Sequence, residues 1–274
     1  MTTITGSSDN ALHYEDTGGS GRPVVLIHGW PLSGKAWADN VGPLAAAGYR
    51  VISYDRRGFG ESDKPALGYR YDHLADDLAA LITTLDLRDV TLVGFSMGGG
   101  EVARYIGKHG QDRLHSVVFA AAVTPYMMHG SDNPDGPLAK TEAAKMTARL
   151  TANRDSFYDD FVTKFFSAGE RLCVTEEQRQ QAIALCLQAG KLAALEAMQS
   201  FGLTDFRDDL RTVKVPALVI HGDADGIVPF EGSGRRTHEA LPGSELVVIA
   251  GGPHGINVSH AAEFNQALIG FLGR

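Results

Sequence analysis

Six short runs of β-branched and aliphatic residues, spaced along 274 residues, constrain this chain more than any other feature. They are Val24–His28, Val51–Tyr54, Val90–Phe95, Val117–Ala121, Ala217–His221 and Glu245–Ile249. A run with almost no polar alternation has no face to turn to water, so strands built from it are buried on both sides. That is the condition of a parallel sheet covered by helices, and helical patterns do lie between the runs. In Tyr71–Leu85, four leucines (Leu74, Leu78, Leu81 and Leu85) form one stripe for packing on a sheet. Met97–His109 and Ser259–Leu272 read as further helices, and the segment around Ala11–Asp16 as antiparallel edge strand. Strand alternating with helix predicts a mostly parallel, doubly wound α/β sheet.

One region breaks the alternation. Residues 124–209 carry no strand pattern and read as helix after helix. Phe157, Phe161 and Phe165 recur at every fourth position there, a stripe suited to core packing that also lends a wall to a cavity. The expected organisation is an α/β core of residues 1–123 and 210–274, interrupted by a helical cap of residues 124–209 that is an insertion and not an independent domain. A regular sheet tolerates little local change, so an insertion of this kind is where a substrate pocket is built.

Charge excludes several classes of partner. Asp and Glu exceed Lys and Arg to give a net charge of −8, with pI near 5.7, which disfavours nucleic acid and anionic membranes. No 18-residue apolar run exists, and "MTTITGSSDN" lacks the basic and apolar regions of a secretory signal. The two cysteines, Cys173 and Cys186, lie in helix-like sequence outside any CxxC and read as reduced, buried hydrophobes. A cytoplasmic protein is expected, and homo-oligomerisation is left open.

Chemistry enters at "LVGFSMGGG". Gly94-Phe95-Ser96-Met97-Gly98 sits where the third run gives way to a helix, which is the setting that gives G-x-S-x-G its meaning. A serine presented on so sharp a turn needs residues without a Cβ two before and two after it. Its hydroxyl needs a base, and the base an orienting acid. Two more strand ends supply these: "LVIHGDADGIVPF" offers Asp223 and Asp225, and "VVIAGGPHGINVSH" offers His254 and His260. Sites in open α/β sheets gather at the carboxyl ends of strands, where the three segments converge. Asp223 follows its strand directly and Asp225 reads as a loop-forming Asx turn. His254 lies in a Gly/Pro loop, whereas His260 opens the last helix. The expected set is Ser96, Asp223 and His254.

With these motifs in view the chain resembles the α/β-hydrolase fold enzymes, in particular the cofactor-free bacterial haloperoxidases (non-heme chloroperoxidases) and aryl esterases. The resemblance rests on "LIHGWP", "YDRRGFGESDKP", "LVGFSMGGGEVARY", "VIHGDADGIVPF" and "GGPHGINVSH", which span nearly all of the chain outside the cap. It implies Ser96 as nucleophile, Asp223 as orienting acid, His254 as base, and the backbone N–H groups of Trp30 and Met97 as oxyanion hole. It also resolves "VVLIHGWPLSGKAW", whose Gly34-Lys35-Ala36 comes one residue short of a phosphate-binding loop. Ala36 has no oxygen for a magnesium ion, and Pro31 removes a backbone donor.

The function so implied is acyl transfer through a covalent intermediate. Small aryl or short-chain esters would be hydrolysed by water, and hydrogen peroxide would turn the same intermediate into a peracid that oxidises halides. Pro31 restricts the backbone of Trp30, and the Trp30 carbonyl is a candidate acceptor for the incoming peroxide. Trp30, Val123, Phe161, Phe165, Ile227 and Phe230 are the expected pocket residues. Arg56 and Arg57 are expected in a structural network with Asp55, Glu61 or Asp63. No cofactor and no metal is expected. The alternatives are an amidase or lactamase with the same three residues, and a low-turnover receptor on the same fold.

Overall fold

The apolar runs become neighbours in one eight-stranded sheet in the computed structural model of the chain, which describes residues 2–274. In chain order the strands are β1 (Thr3–Thr5), β2 (Ala11–Asp16), β3 (Pro23–Ile27), β4 (Arg50–Tyr54), β5 (Val90–Phe95) and β6 (Leu114–Ala120). A two-residue hairpin follows, β7 (Ser167–Ala168) with β8 (Arg171–Leu172), and then β9 (Ala217–Gly222) and β10 (Glu245–Ile249). The sheet order is β1-β2-β4-β3-β5-β6-β9-β10. All pairings from β4 to β10 are parallel, and only β2 is reversed, pairing antiparallel with β1 and with β4. Every residue of β5 is buried, as its uninterrupted apolar sequence demands.

The helices are α1 (Ala38–Ala46), α2 (Tyr71–Thr84), α3 (Met97–His109), α4 (Lys140–Ala152), α5 (Arg154–Phe165) and α6 (Glu176–Leu187), then α7 (Lys191–Leu203), α8 (Arg207–Thr212), α9 (Gly234–Ala240), α10 (Ile256–Ser259) and α11 (Ala261–Leu272). Leu74, Leu78 and Leu81 of α2 are fully buried, as their spacing requires. None of the helices is long and apolar enough to cross a membrane.

Three local expectations need correction. The region between β6 and β9 is not helix alone, because the β7–β8 hairpin turns at Gly169 between α5 and α6. Cys173 lies just past that hairpin and outside any helix, whereas Cys186 is buried in α6. The last helix is broken at His260, whose non-helical backbone (φ −128°, ψ 41°) separates α10 from α11. In addition, the boundary expected after residue 209 falls inside α8, which the Arg104–Asp209 ion pair ties to α3.

Both arginines after β4 are buried, but with partners other than those expected. Arg56 donates from Nε to Glu101 of α3 at 2.7 Å, and Tyr54 also bonds that carboxylate. Arg57 grips Asp77 of α2 through Nε and Nη2 at 2.5 and 2.6 Å. Asp55, Glu61 and Asp63 serve other groups: Asp55 accepts from the amides of Gly34 and Glu61, Glu61 pairs with Lys35, and Asp63 accepts from the amide of Ala11. Of the sequence-local carboxylates Asp55 is buried as well, but its two oxygens are spent on backbone amides, and the arginines turn to carboxylates on the helices that cover the sheet. Removing one member of such a buried pair leaves an uncompensated charge, at a cost of about 3–5 kcal/mol.

Candidate active site

Ser96 occupies the turn between β5 and α3 with φ +55°, a left-handed backbone that a serine adopts only when its surroundings compel it. The compulsion is visible on both sides. A Cβ on Gly94 would lie 2.4 Å from the carbonyl oxygen of Gly98, and one on Gly98 would lie 2.5 Å from that of Ile27 in β3. Both distances are far inside contact, so the two glycines are what let the helix approach the sheet. The Ser96 amide is held by the Ala120 carbonyl at 2.8 Å.

His254 reaches Ser96 from the loop after β10. Its Nε2 lies 2.9 Å from the Ser96 Oγ, and its Nδ1 lies 2.6 Å from Oδ2 of Asp225. In the neutral imidazole Nδ1–H donates to the carboxylate, and Nε2 is left to accept the serine proton. Phe95 and Phe165 press on the imidazole, with ring centroids 5.2 and 4.9 Å away. The ring is 1% exposed, so it is held in place and kept dry.

The carboxylate that His254 meets is therefore Asp225, and the expected Asp223 is corrected. Asp223 is exposed, and its Oδ1 accepts from the amide of Gly251 at 2.6 Å, bracing the loop after β9 against that after β10. Asp225 does form the Asx turn that its sequence suggests, with Oδ1 accepting from the amides of Ile227 and Val228 at 2.8 Å each. A carboxylate has two oxygens, so the turn leaves Oδ2 free for His254. The structural and the chemical roles are compatible within one side chain. A further partner, His221 at the end of β9, brings Nε2 to 3.2 Å from the same Oδ2. Burial pushes the Asp225 carboxyl upward, but His254 and His221 together outweigh it and hold the group well below the ordinary carboxylate range. His260 stays apart, bonded to Ser259.

The amides of Trp30 and Met97 are both unspent, since among the described residues neither donates to a protein acceptor. Met97 opens α3, where the first turn of N–H groups has no intrahelical partner and favours negative charge. The loop carrying Trp30 is fixed by a residue the sequence did not single out. His28 is fully buried, with Nδ1 bonded to the Gly29 carbonyl at 2.8 Å and Nε2 accepting from the Arg56 amide at 3.1 Å. Burial and the neighbouring Arg56 charge push this imidazole far down, which keeps it neutral. The Trp30–Pro31 peptide is cis. The Lys35 of the phosphate-loop look-alike points outward to Glu61 at 2.6 Å.

Above Ser96 lies a cavity of about 40 Å³. Of the expected lining residues, Trp30, Val123, Phe161 and Ile227 face it, joined by Met127, Leu138, Met146, Phe201 and Val228. Phe165 and Phe230 are corrected. Phe165 is spent on the His254 ring, and Phe230 packs on His221 with centroids 5.7 Å apart. The Trp30 indole donates to the Ala194 carbonyl of α7 at 2.9 Å and meets Phe161 edge-on at 5.2 Å, pinning the cap helices over the serine. A larger hollow of about 380 Å³ between the turn after β3 and α6 holds no serine, cysteine or histidine.

Residues 22–261 match the family described as alpha/beta hydrolase fold. A non-heme chloroperoxidase, CPO-A1 of Kitasatospora aureofaciens, is 43% identical over 272 residues, covering 96% of each chain. The bifunctional esterase/perhydrolase DCH of Acinetobacter calcoaceticus is 34% identical over 99% of each. Among solved structures, a bromoperoxidase from Bacillus anthracis superposes with a TM-score of 0.96 at 48% identity, over the whole of both chains. An esterase from Exiguobacterium antarcticum gives a TM-score of 0.93 at 32% identity, covering 100% of this chain and 99% of the other.

Proposed function

Because this chain belongs to the alpha/beta hydrolase fold family and is a hydrolase, we propose that it is a cofactor-free serine acyl-transfer enzyme acting on small esters, with water or hydrogen peroxide as the second reactant. The observation that carries this reading is the unbroken hydrogen-bonded chain from Ser96 through His254 to Asp225.

His254 takes the Ser96 proton as Oγ attacks the ester carbonyl, and Asp225 holds the imidazole in the tautomer that can do so while stabilising its charged form. The amides of Trp30 and Met97 receive the oxyanion. Losing one such donor typically costs ~10²–10³ in rate. Once the alcohol has left with the proton, His254 takes a proton from the second reactant, whose oxygen attacks the acyl carbonyl and expels Ser96. Water yields the acid. Hydrogen peroxide yields a peracid, which passes one oxygen to a halide in solution. The small, apolar cavity supports a short acyl group beside Ser96 and disfavours charged ones. Pro31 keeps the Trp30 carbonyl turned toward the incoming peroxide, where it accepts a hydrogen bond.

A panel of esters of increasing acyl length, assayed with and without hydrogen peroxide, tests this. Acetate-sized acyl groups should be turned over fastest, and peroxide should divert product from acid to peracid. No turnover of any ester by a folded sample contradicts the reading. Pro31→Leu should lower the ratio of peracid to acid, and an unchanged ratio refutes the peroxide contact.

A further inference from the structure

We propose that the peracid made at Ser96 also acts on the protein itself, oxidising the methionine thioethers along its way out, with Met146 the principal target. This rests on the perhydrolysis reading above and adds a modification site to it.

Of the six methionines in the chain, Met127 and Met146 face the cavity above Ser96, and Met128, Met146 and Met198 line a second cavity of about 220 Å³ between α4 and α7. The two cavities share the wall formed by Leu138, Met146 and Phe201. Exposed residues on the second one (Ala144, Gln199 and Leu203) open it to the surface. A molecule leaving Ser96 through that opening crosses the Met146 side chain. Met97 supplies the contrast: it adjoins Ser96 in sequence, is fully buried and lines neither cavity.

A thioether is the most readily oxidised apolar side chain, and a peracid is a two-electron oxygen donor. The sulfur lone pair attacks the terminal peroxide oxygen, a sulfur–oxygen bond forms and the O–O bond breaks. Sulfur loses two electrons, and the carboxylate leaves with the O–O electron pair and recovers the proton as carboxylic acid. Ester and hydrogen peroxide are the only reagents needed. The product places a polar, chiral sulfoxide in an apolar wall, so that turnover with peroxide limits itself while plain hydrolysis does not.

The test is peptide mass spectrometry of the protein after turnover of p-nitrophenyl acetate with hydrogen peroxide, compared with ester alone, peroxide alone, and the Ser96→Ala variant given both. Peracid release is followed separately through bromination of a dye. Sulfoxide at Met146 and Met127 should exceed the peroxide-alone level at least about fivefold in the complete reaction only, with Met97 unchanged. Peracid release without that excess, or Met97 oxidised as far as Met146, overturns the proposal. No peracid at all overturns the perhydrolysis reading instead, and the source of oxidant with it. Peracetic acid added to Ser96→Ala isolates the geometry: Met146 should be oxidised well ahead of Met97, and equal rates overturn the assignment.

Discussion

The loops at the carboxyl ends of β5, β9 and β10 and the cap helices that cover them meet across one small cavity, but they are held by different forces. Around Ser96 the side chains are held by directed hydrogen bonds. Asp225 alone satisfies two backbone amides and two imidazoles, and the glycines flanking the serine leave no room for a methyl group. The cap meets the same cavity with Phe161, Phe201, Leu138 and Met146, which contribute area and shape but no directed bonds. Contacts of the first kind are all-or-none; those of the second degrade gradually. Substitutions on the loop side should therefore act on kcat, and those on the cap side on KM and acyl preference.

The largest effect follows from removing the nucleophile. Ser96→Ala should lower kcat about 10⁴–10⁶-fold with thermal stability retained, measured by ester hydrolysis and a melting curve. A loss below tenfold would place the nucleophile elsewhere. Beneath the same loops, Glu101→Ala should destabilise the fold by about 3–5 kcal/mol in denaturant titrations, because Arg56 stays buried without its carboxylate. A change under 1 kcal/mol would mean that the pair is dispensable. On the cap side, Phe161→Ala should alter KM and acyl-length preference by about 10–100-fold while leaving kcat for the best substrate much closer to wild type. A collapse of kcat for every ester would erase the distinction between the two regions.

The smallest effect concerns acid. Asp225 has a depressed carboxyl pKa, so the stability it contributes is complete above about pH 4, where an ordinary carboxylate is ionised, and is lost as pH falls through the lower folded value. In the pH profile of kcat/KM no limb from this carboxylate should appear at about pH 4–6. A carboxylate limb in that window would contradict the burial and pairing of Asp225.

The two regions also differ in how much of them can be read from sequence. Uninterrupted apolar runs place most parallel strands within a residue, because burial on both faces leaves no other composition; β6 begins three residues before its run. Ser96 was legible because its turn excludes Cβ atoms at Gly94 and Gly98. Nearness to the strand end favours Asp223 in the sequence, but the Asx turn, and not that nearness, decides which carboxylate meets the imidazole. The turn over Ile227 and Val228 is what aims the second oxygen at His254. His28 and His221 are not legible, since a histidine in a strand or just past its end carries no local sign of what its ring will meet. Glu101, 45 residues beyond Arg56, was equally hidden as a partner. In the cap, the Phe157–Phe161–Phe165 stripe announced a buried face, but tertiary packing decided that Phe161 lines the cavity while Phe165 clamps an imidazole.

The most direct measurement sets two neighbouring aspartates against each other. Asp225→Asn should cost about 10⁴ in kcat, since an amide beside Nδ1 cannot hold the required tautomer. Asp223→Asn keeps an oxygen for the Gly251 amide and should stay within about threefold of wild type. Equal rates for the two variants, or loss of activity in Asp223→Asn alone, would contradict a Ser96–His254–Asp225 relay.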